Sequence, residues 1–562
     1  MTANDRYISW LNNEALDAET RKELEGIKGD DKQIEDRFYK DLEFGTGGLR
    51  GVLGAGTNRM NVYTVRRAAA GLGKQLINEY ADAKEKGVAI AHDSRIMSKE
   101  FALDSALALC ALGIRVYLFE SLRPTPELSF TIKHLKTVSG IVITASHNPA
   151  EYNGFKAYGP DGGQITLKTA DAVFKTMTEI CPFEVELMDK EKALESGLLT
   201  YIGKEVDDAY IDHVLSLRPD PELLTRTGVD LKIVYTPLHG AGNLLVREAL
   251  KRAGYKNVIV VKEQEAPDGA FPTVKSPNPE NPEAFEIAIE KYADKEGADV
   301  IIGTDPDSDR MGMMLKKDGK WIPVTGNQAG CLMLEYILRA KKPAPGSGAY
   351  AVSTIVSTRM TDAICKEYGV DMIRVLTGFK FIGEVIDKKE KAGNNGFLLG
   401  FEESYGYLTG GYIRDKDAVI ASVLAAELAA YYKSEGKSLF DAMEEMFKKY
   451  GYFAEKTVSV TMPGVDGMAK REAATRNLRE NPPCEIGGRK VVEALDFKNE
   501  GTMGLPRADV LLYVLEGDAW ACVRPSGTEP KLKIYVGVRE KTECEAKEQL
   551  IKLSDAAAAL TK

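Results

Sequence analysis

A chain of 562 residues is too long for a single hydrophobic core, and at roughly 100–200 residues per domain it should divide into about three to five. Its apolar content of 44% and charged content of 28% are globular values, which exclude long disordered tails. A net charge of −10 excludes a polyanion-binding surface, so nucleic acid is not an expected partner and a small anionic substrate would need a local basic pocket.

The opening residues, Met1 to Trp10, lack a basic stretch followed by an apolar one, so no secretory signal is expected. Residues 14 to 40 are charged and helical in pattern. Then comes Gly45-Thr46-Gly47-Gly48-Leu49-Arg50-Gly51, whose glycines allow close backbone approach to a ligand and whose Arg50 offers a planar, permanently charged fork. A flexible loop with one surface arginine is the plainer alternative.

Beyond it one pattern occurs three times. Val88 to Ile90 leads into a helical run from Phe101 to Leu112, closed by Gly113 and followed by a strand from Arg115 to Phe119. Leu231 to Tyr235 leads into Asn243 to Ala253, Gly254 and Val258 to Val261, and Tyr350 to Ser353 leads into Ser357 to Tyr368, Gly369 and Met372 to Val375. Strand, helix, glycine cap and strand predict a βαβ crossover and a parallel sheet, and three such units imply three α/β domains built on one plan.

Between these units lie polar loops at the ends of apolar runs. Ile141 to Thr144 reads as a buried strand that delivers Ser146 in Thr144-Ala145-Ser146-His147-Asn148-Pro149, followed by Glu151 to Lys156. A serine so placed is a candidate nucleophile, although Ser, Asn, Pro and Gly are also turn formers. Ala298 to Gly303 leads into Thr304-Asp305-Pro306-Asp307-Ser308-Asp309-Arg310. In extended chain, alternate residues share a face, so Asp305, Asp307 and Asp309 are expected to converge and to need a hard cation, Mg²⁺ or Ca²⁺. An EF-hand is excluded, since Arg310 and Lys316 stand where it needs Gly and Glu. Phe397 to Leu399 leads into Gly400-Phe401-Glu402-Glu403-Ser404-Tyr405-Gly406, where paired acids and a hydroxyl suit sugar hydroxyls. Lys416 follows, flanked by Asp415 and Asp417; taken alone it reads as an exposed salt-bridge partner.

The longest helical apolar run, near Val419 to Tyr432, is broken by Glu427 and is too short to span a bilayer. The last segment changes character: short strands at Thr457 to Thr461, Lys490 to Phe497, Asp509 to Leu515, Trp520 to Val523 and Leu532 to Val538, with helical patterns at Gly467 to Arg479 and Glu543 to Leu560. It predicts an α+β fourth domain with an antiparallel sheet. Its loop Arg524-Pro525-Ser526-Gly527-Thr528-Glu529-Pro530 joins an arginine, two hydroxyls and a glycine as an anion cradle. The expected domains are 1–205, 206–322, 323–450 and 451–562. Seven cysteines, odd in number and without CxxC spacing, suit free thiols in a reducing compartment. The expectation is a soluble cytoplasmic protein with no membrane partner.

The four loops TASHNPAEYNGFK, GTDPDSDR, GFEESYG and RPSGTEP, in this order, resemble the motifs of the α-D-phosphohexomutase superfamily, and the resemblance covers nearly the whole chain. The opening LEFGTGGLRG and the form FEESYGYL are similar to the phosphoglucomutase branch that also contains phosphopentomutases. The resemblance implies three α/β domains with mixed, largely parallel sheets and a C-terminal α+β domain around a central cleft, in a monomer or weak dimer. It implies interconversion of glucose 1-phosphate and glucose 6-phosphate through a phosphorylated Ser146, with glucose 1,6-bisphosphate as primer and intermediate; a pentose or mannose phosphate is the alternative sugar. Mg²⁺ would be held by Ser146, Asp305, Asp307 and Asp309. Lys156, His147, Arg50 and Lys416 would serve the chemistry, and Arg310, Thr377, Gly378, Glu402, Ser404, Arg524, Ser526, Gly527 and Thr528 would hold substrate. Some relatives carry a histidine where this chain has Gly406, a departure that favours Lys416 as acid or base. A phosphohydrolase is disfavoured by the lack of a GxSxG elbow, and a non-catalytic sensor by the intact Ser146, aspartates and Lys156.

Overall fold

The computed structural model describes residues 1–45, 48–462, 466–525 and 531–561. The chain forms two units, Met1–Val324 with Ser404–Ser434, and Thr325–Glu403 with Glu435–Lys562.

In the first unit a six-stranded sheet contains β1 (Leu49–Val52), β2 (Val88–His92), β3 (Val116–Phe119), β4 (Ser139–Ile143), β5 (Tyr152–Tyr158) and β6 (Leu199–Ile202) in the order β1-β5-β4-β2-β3-β6. Pairing is parallel from β4 through β2 and β3 to β6, while β5 and β1 are antiparallel additions. Both faces are covered, and strand periodicity shows how. Val88 and Ile90 enter one core with Ile141 and Ile143, whereas Ala89 and Ala91 enter a second with Val142 and Phe119.

Helix Ser98–Ala111 joins β2 to β3, and helix Thr125–Leu135 returns from β3 to β4 on the other side of β2. The reversal leaves a crevice outside the carboxyl ends of β2 and β4, which is where sheets of this kind bind ligands. The Ser146 loop follows β4 directly.

The same plan recurs in the second sheet, with β7 (Lys232–Thr236), β8 (Asn257–Val260), β9 (Val300–Thr304), β10 (Met311–Lys317) and β11 (Lys320–Val324) in the order β11-β10-β9-β7-β8. Here β7 is parallel to β8 and β9, the reversal falls between β7 and β9, and β9 ends one residue before Asp305.

Three short helices, Ala3–Leu11, Ala18–Gly26 and Asp31–Phe38, precede these sheets. The first lies outside the stretch read as helical; its sequence signal is the capping box between Thr2 and Asp5, and it is held by Trp10 packed edge-on against Phe38. The unit is completed by strand β15 (Gly406–Leu408), numbered after the three of the next sheet, and by helix Ala418–Ser434. Glu427, which interrupts that helix's apolar run, is buried and accepts from Arg218 at 2.6 Å. Among the described residues no helix is long and apolar enough to cross a membrane.

In the second unit β12 (Tyr350–Thr354) is parallel to both β13 (Asp371–Val375) and β14 (Phe397–Glu402), so β14, ending in Glu402, stands in the place held by β4 and β9. The glycines expected to end the three crossover helices, Gly113, Gly254 and Gly369, all have positive φ. The third helix begins at Met360 and not at Ser357. Thr354 and Ser357 exchange a 2.9 Å hydroxyl hydrogen bond and both reach Glu403, so local side-chain bonding holds a turn where the pattern predicts helix.

The last sheet, β16 (Tyr452–Thr461), β17 (Glu485–Ile486), β18 (Arg489–Asp496), β19 (Leu511–Leu515), β20 (Trp520–Pro525) and β21 (Lys531–Glu540), is antiparallel throughout. Helices Gly467–Glu480 and Glu543–Ala559 contribute Leu478 and Leu553 to its core.

Candidate active site

β4 ends in a turn that places Ser146 in the left-handed region, at φ 53°. A serine there costs on the order of 1–3 kcal/mol of strain, so the surroundings must hold it. Thr144 Oγ1 accepts the Ser146 N–H at 2.8 Å. The larger restraint is Arg95, which donates to the carbonyls of Ser146 (2.6 Å), Pro149 (2.8 Å), Tyr152 (2.9 Å) and Asn148. Arg95 is fixed in turn by Asp93, which accepts its N–H at 2.9 Å and the Ser98 hydroxyl at 2.7 Å. The sequence reading missed this Asp93–Arg95 clamp. The available signal was an Asp-x-Arg directly after the apolar strand β2.

Ser146 Oγ donates to Asp305 Oδ2 at 2.9 Å and lies 3.2 Å from His147 Nδ1. Asp305, Asp307 and Asp309 do converge, with ligand atoms all within 4.8 Å of one another. The expected cause is corrected, however. The segment is a turn and not an extended strand: Ser308 N–H donates to Asp305 O at 2.9 Å, Ser308 has φ 51°, and Asp305 Oδ1 accepts the N–H groups of Asp309 and Arg310. The carboxylate of Asp305 folds the loop around itself.

Two ammonium groups enter this buried acidic cluster. Lys156 Nζ donates to Asp307 Oδ2 at 2.8 Å and is 3.7 Å from Asp309. Lys416 Nζ is 2.8 Å from Asp309 Oδ2. Lys416 is buried, which corrects the reading of it as an exposed salt-bridge partner. Its stem passes where a side chain at 406 would stand: a Cβ on Gly406 would lie 2.4 Å from Lys416 Cδ. A histidine at 406 and this placement of Lys416 therefore exclude each other.

Thr125, also missed, donates its N–H to the Asp307 carbonyl at 2.9 Å and its hydroxyl to Asp307 Oδ2 at 3.1 Å.

Burial, then the charges of Asp307 and Asp309, push the Asp305 carboxyl well above its usual range. Burial opposes ionisation of Asp307 too, but the Lys156 ammonium outweighs it and holds that carboxyl well below the usual range. Burial, followed by the guanidinium charges of Arg310 and Arg50, depresses His147 to about 2, so its imidazole is neutral beside the Ser146 hydroxyl. Arg50 lies on β1, opposite Gly154 of β5, and reaches Asn148 Oδ1 at 3.4 Å. Arg310 pairs with Glu280.

The residues present fit a divalent cation. Asp307 Oδ1 and Asp309 Oδ1 are buried without a hydrogen-bond partner, and the donor set is oxygen only, as a hard ion prefers.

The structure thus brings Ser146, His147, Lys156, Lys416, the three aspartates, Arg50 and Arg310 together in the first unit. Thr377, Gly378, Glu402 and Arg524 belong to the second. There Glu402 Oε1 accepts the Gly378 N–H at 2.8 Å, tying together two of the segments expected to hold substrate. Gly378 has φ 125°, which favours glycine. Ser404 is half-buried just after the boundary between the units, and Arg524 is the last residue but one of β20, opposite Lys533. Ser526, Gly527 and Thr528 lie outside the described residues.

Comparison with known proteins finds four family domains in order along the chain. Residues 41–182, 208–319 and 325–450 match the α/β/α domains I, II and III of phosphoglucomutase/phosphomannomutase, and residues 497–551 match its C-terminal domain. A phosphoglucomutase of Staphylococcus haemolyticus (strain JCSC1435) is 36% identical over 517 residues, covering 90% of this chain and 91% of the relative. In fold the chain is similar to the open form of pp63/parafusin, a phosphoglucomutase from Paramecium, with TM-score 0.70 at 17% identity, covering 93% of this chain and 95% of that one. It is also similar to Aspergillus fumigatus N-acetylphosphoglucosamine mutase solved with GlcNAc-6P and magnesium, with TM-score 0.50 at 14% identity, covering 93% and 96%. The domain order, the extent of the staphylococcal match and the shared fold establish that this chain belongs to the phosphoglucomutase/phosphomannomutase family of the α-D-phosphohexomutase superfamily, enzymes of the isomerase class.

Proposed function

We propose that the chain interconverts α-D-glucose 1-phosphate and glucose 6-phosphate, with Ser146 as the phosphoryl carrier and glucose 1,6-bisphosphate as primer and intermediate. The observation that carries this reading is the Ser146 hydroxyl, strained into a turn, hydrogen-bonded to a buried acidic triad and flanked by two buried lysines. The phosphoglucomutase name of the staphylococcal relative supports glucose as the sugar. The seven free cysteines of this chain fit a reducing cytoplasm.

Asp305, Asp307, Asp309 and an oxygen of phosphorylated Ser146 would hold Mg²⁺, which when bound neutralises charge on the phosphoryl oxygens. The chain's own groups do the rest. In the first half-reaction the bond from phosphorus to Ser146 Oγ breaks as a bond to the sugar hydroxyl oxygen forms, and the hydroxyl proton ends on Ser146 Oγ. Lys156 Nζ and Lys416 Nζ, both on the acidic triad, and the neutral His147 Nδ1 at 3.2 Å from Ser146 Oγ, are the groups that move it. Arg50 and Arg310 bear on the transferring oxygens. After the bisphosphate turns over, the other phosphate returns to Ser146.

Gly406→Ala should displace Lys416, because the new Cβ would fall 2.4 Å from its Cδ. Losing one proton-transfer group from position should lower kcat by at least about tenfold with KM little changed. Steady-state kinetics showing wild-type kcat would remove Lys416 from the proton path.

The sugar is tested directly. Glu402, oriented by the Gly378 amide, is the group proposed to accept ring hydroxyls. A pentose phosphate leaves part of such a site unfilled, at a cost of about 1–3 kcal/mol for an unpartnered carboxylate, so glucose 1-phosphate should be preferred by about tenfold or more. Comparing kcat/KM for glucose, mannose and deoxyribose 1-phosphates decides it; a pentose phosphate winning by that margin would assign the chain to phosphopentomutase chemistry.

A further inference from the structure

A cavity of about 560 Å³ lies within the first unit, and none of the residues around Ser146 lines it. One wall is Ser121 to Arg123, just before helix Thr125–Leu135; the other runs along helix Gly242–Arg252, from Gly240 before it to Lys256 and Val258 beyond it. Its charged lining is Arg123, Arg247, Lys251 and Lys256 against Glu248 alone, in a chain whose net charge is −10. The helix N-cap, Ala241, has no side-chain cap hydrogen bond, and Ala241, Asn243 and Leu244 of its first turn line the cavity, so the positive end of the helix borders it. Leu244, half-exposed, adds an apolar surface.

The cations are held loosely enough to be recruited. Arg247 pairs with Glu265 and Lys251 with Glu248, both partly exposed pairs of the weak, screened kind, which a doubly charged phosphate can outcompete. Arg123 is the fixed member, gripped by Asp207 at 2.7 and 3.0 Å.

Both walls continue directly into the aspartate loop. Two residues beyond Arg123, Thr125 donates its N–H and hydroxyl to Asp307. On the other wall the Ala241 N–H donates to Pro306 O at 2.8 Å. The packing has no slack: a Cβ on Gly240 would lie 2.5 Å from Pro306 Cα, and one on Gly242 would lie 2.6 Å from the Thr304 hydroxyl and 2.7 Å from that of Ser308. Densely packed contacts of this kind pass on small displacements.

We propose that this cavity is a second phosphate-binding site, for a small phosphorylated metabolite other than the sugar phosphate undergoing conversion, and that its occupancy adjusts the Asp305–Asp309 loop. Binding there does not depend on the assigned reaction; the consequence for catalysis rests on the reading of that loop as the metal site.

Hydrogen–deuterium exchange on the full-length, metal-free protein tests it, with inorganic phosphate as the probe against chloride at equal ionic strength. Phosphate should slow exchange at least about threefold in segments 240–248 and 304–310. The charge-reversed variant Arg247→Glu with Lys256→Glu, both outside the catalytic machinery, should lose the protection of 240–248 and keep whatever phosphate produces at 144–156. Thermal unfolding of this variant without phosphate verifies that it is folded. No slowing at 240–248 in the unaltered protein, or equal slowing in the variant, overturns the site. Slowing at 240–248 with none at 304–310 overturns the link to the aspartate loop.

Discussion

Ser146→Ala is expected to lose at least about 10³-fold in turnover, ~4 kcal/mol of barrier, and to carry no phosphate at this position. Without the hydroxyl there is no serine carrier, and the aspartates around it are engaged with Lys156, Lys416 and one another. The fold should survive, because the loop is tied by Arg95 through backbone carbonyls and by Thr144 through the residue 146 N–H, none of which involve the serine hydroxyl. Alanine at φ 53° pays a strain similar to that of serine. Intact mass, phosphopeptide mapping and assay with a glucose 1,6-bisphosphate primer form the measurement. Phosphate found only elsewhere, with full activity in the variant, would end the assignment.

Asp307→Asn is the second large effect. Asparagine keeps the shape and still accepts the Thr125 hydroxyl, but it removes one negative charge from a site whose buried Asp307 and Asp309 Oδ1 atoms have no hydrogen-bond partner. Lys156 retains Asp309 at 3.7 Å, so its charge is not stranded and the protein should fold. Weaker Mg²⁺ binding should then cost several kcal/mol of phosphoryl-charge stabilisation, about 10²-fold or more in rate, for every sugar phosphate alike. A Mg²⁺ titration with two sugars reads both the affinity and the rate. If the variant lost one sugar and kept another, Asp307 would belong to sugar recognition and not to the metal.

Much of this was legible in the chain because it is local. Hydrophobic runs of strand length, helical runs and closing glycines are decided within a dozen residues, so the three βαβ units and the antiparallel last sheet follow from pattern alone. Loop chemistry is equally local: a serine, three alternate aspartates and a paired acid each stand directly after an apolar strand, and the parallel-sheet topology places them at the reversal between β2 and β4, β7 and β9, and β12 and β14. What the tertiary structure alone decided are the partners. Arg95 clamps carbonyls 51 to 57 residues away, and Thr125 reaches Asp307 across 182 residues, separations over which no periodicity carries information. The aspartates converge through a turn folded on the Asp305 carboxylate, where alternation suggested an extended strand. Lys416 changes from a surface cation into a buried partner of Asp309 because Gly406 leaves room for its stem, a steric fact between two residues that only packing brings together.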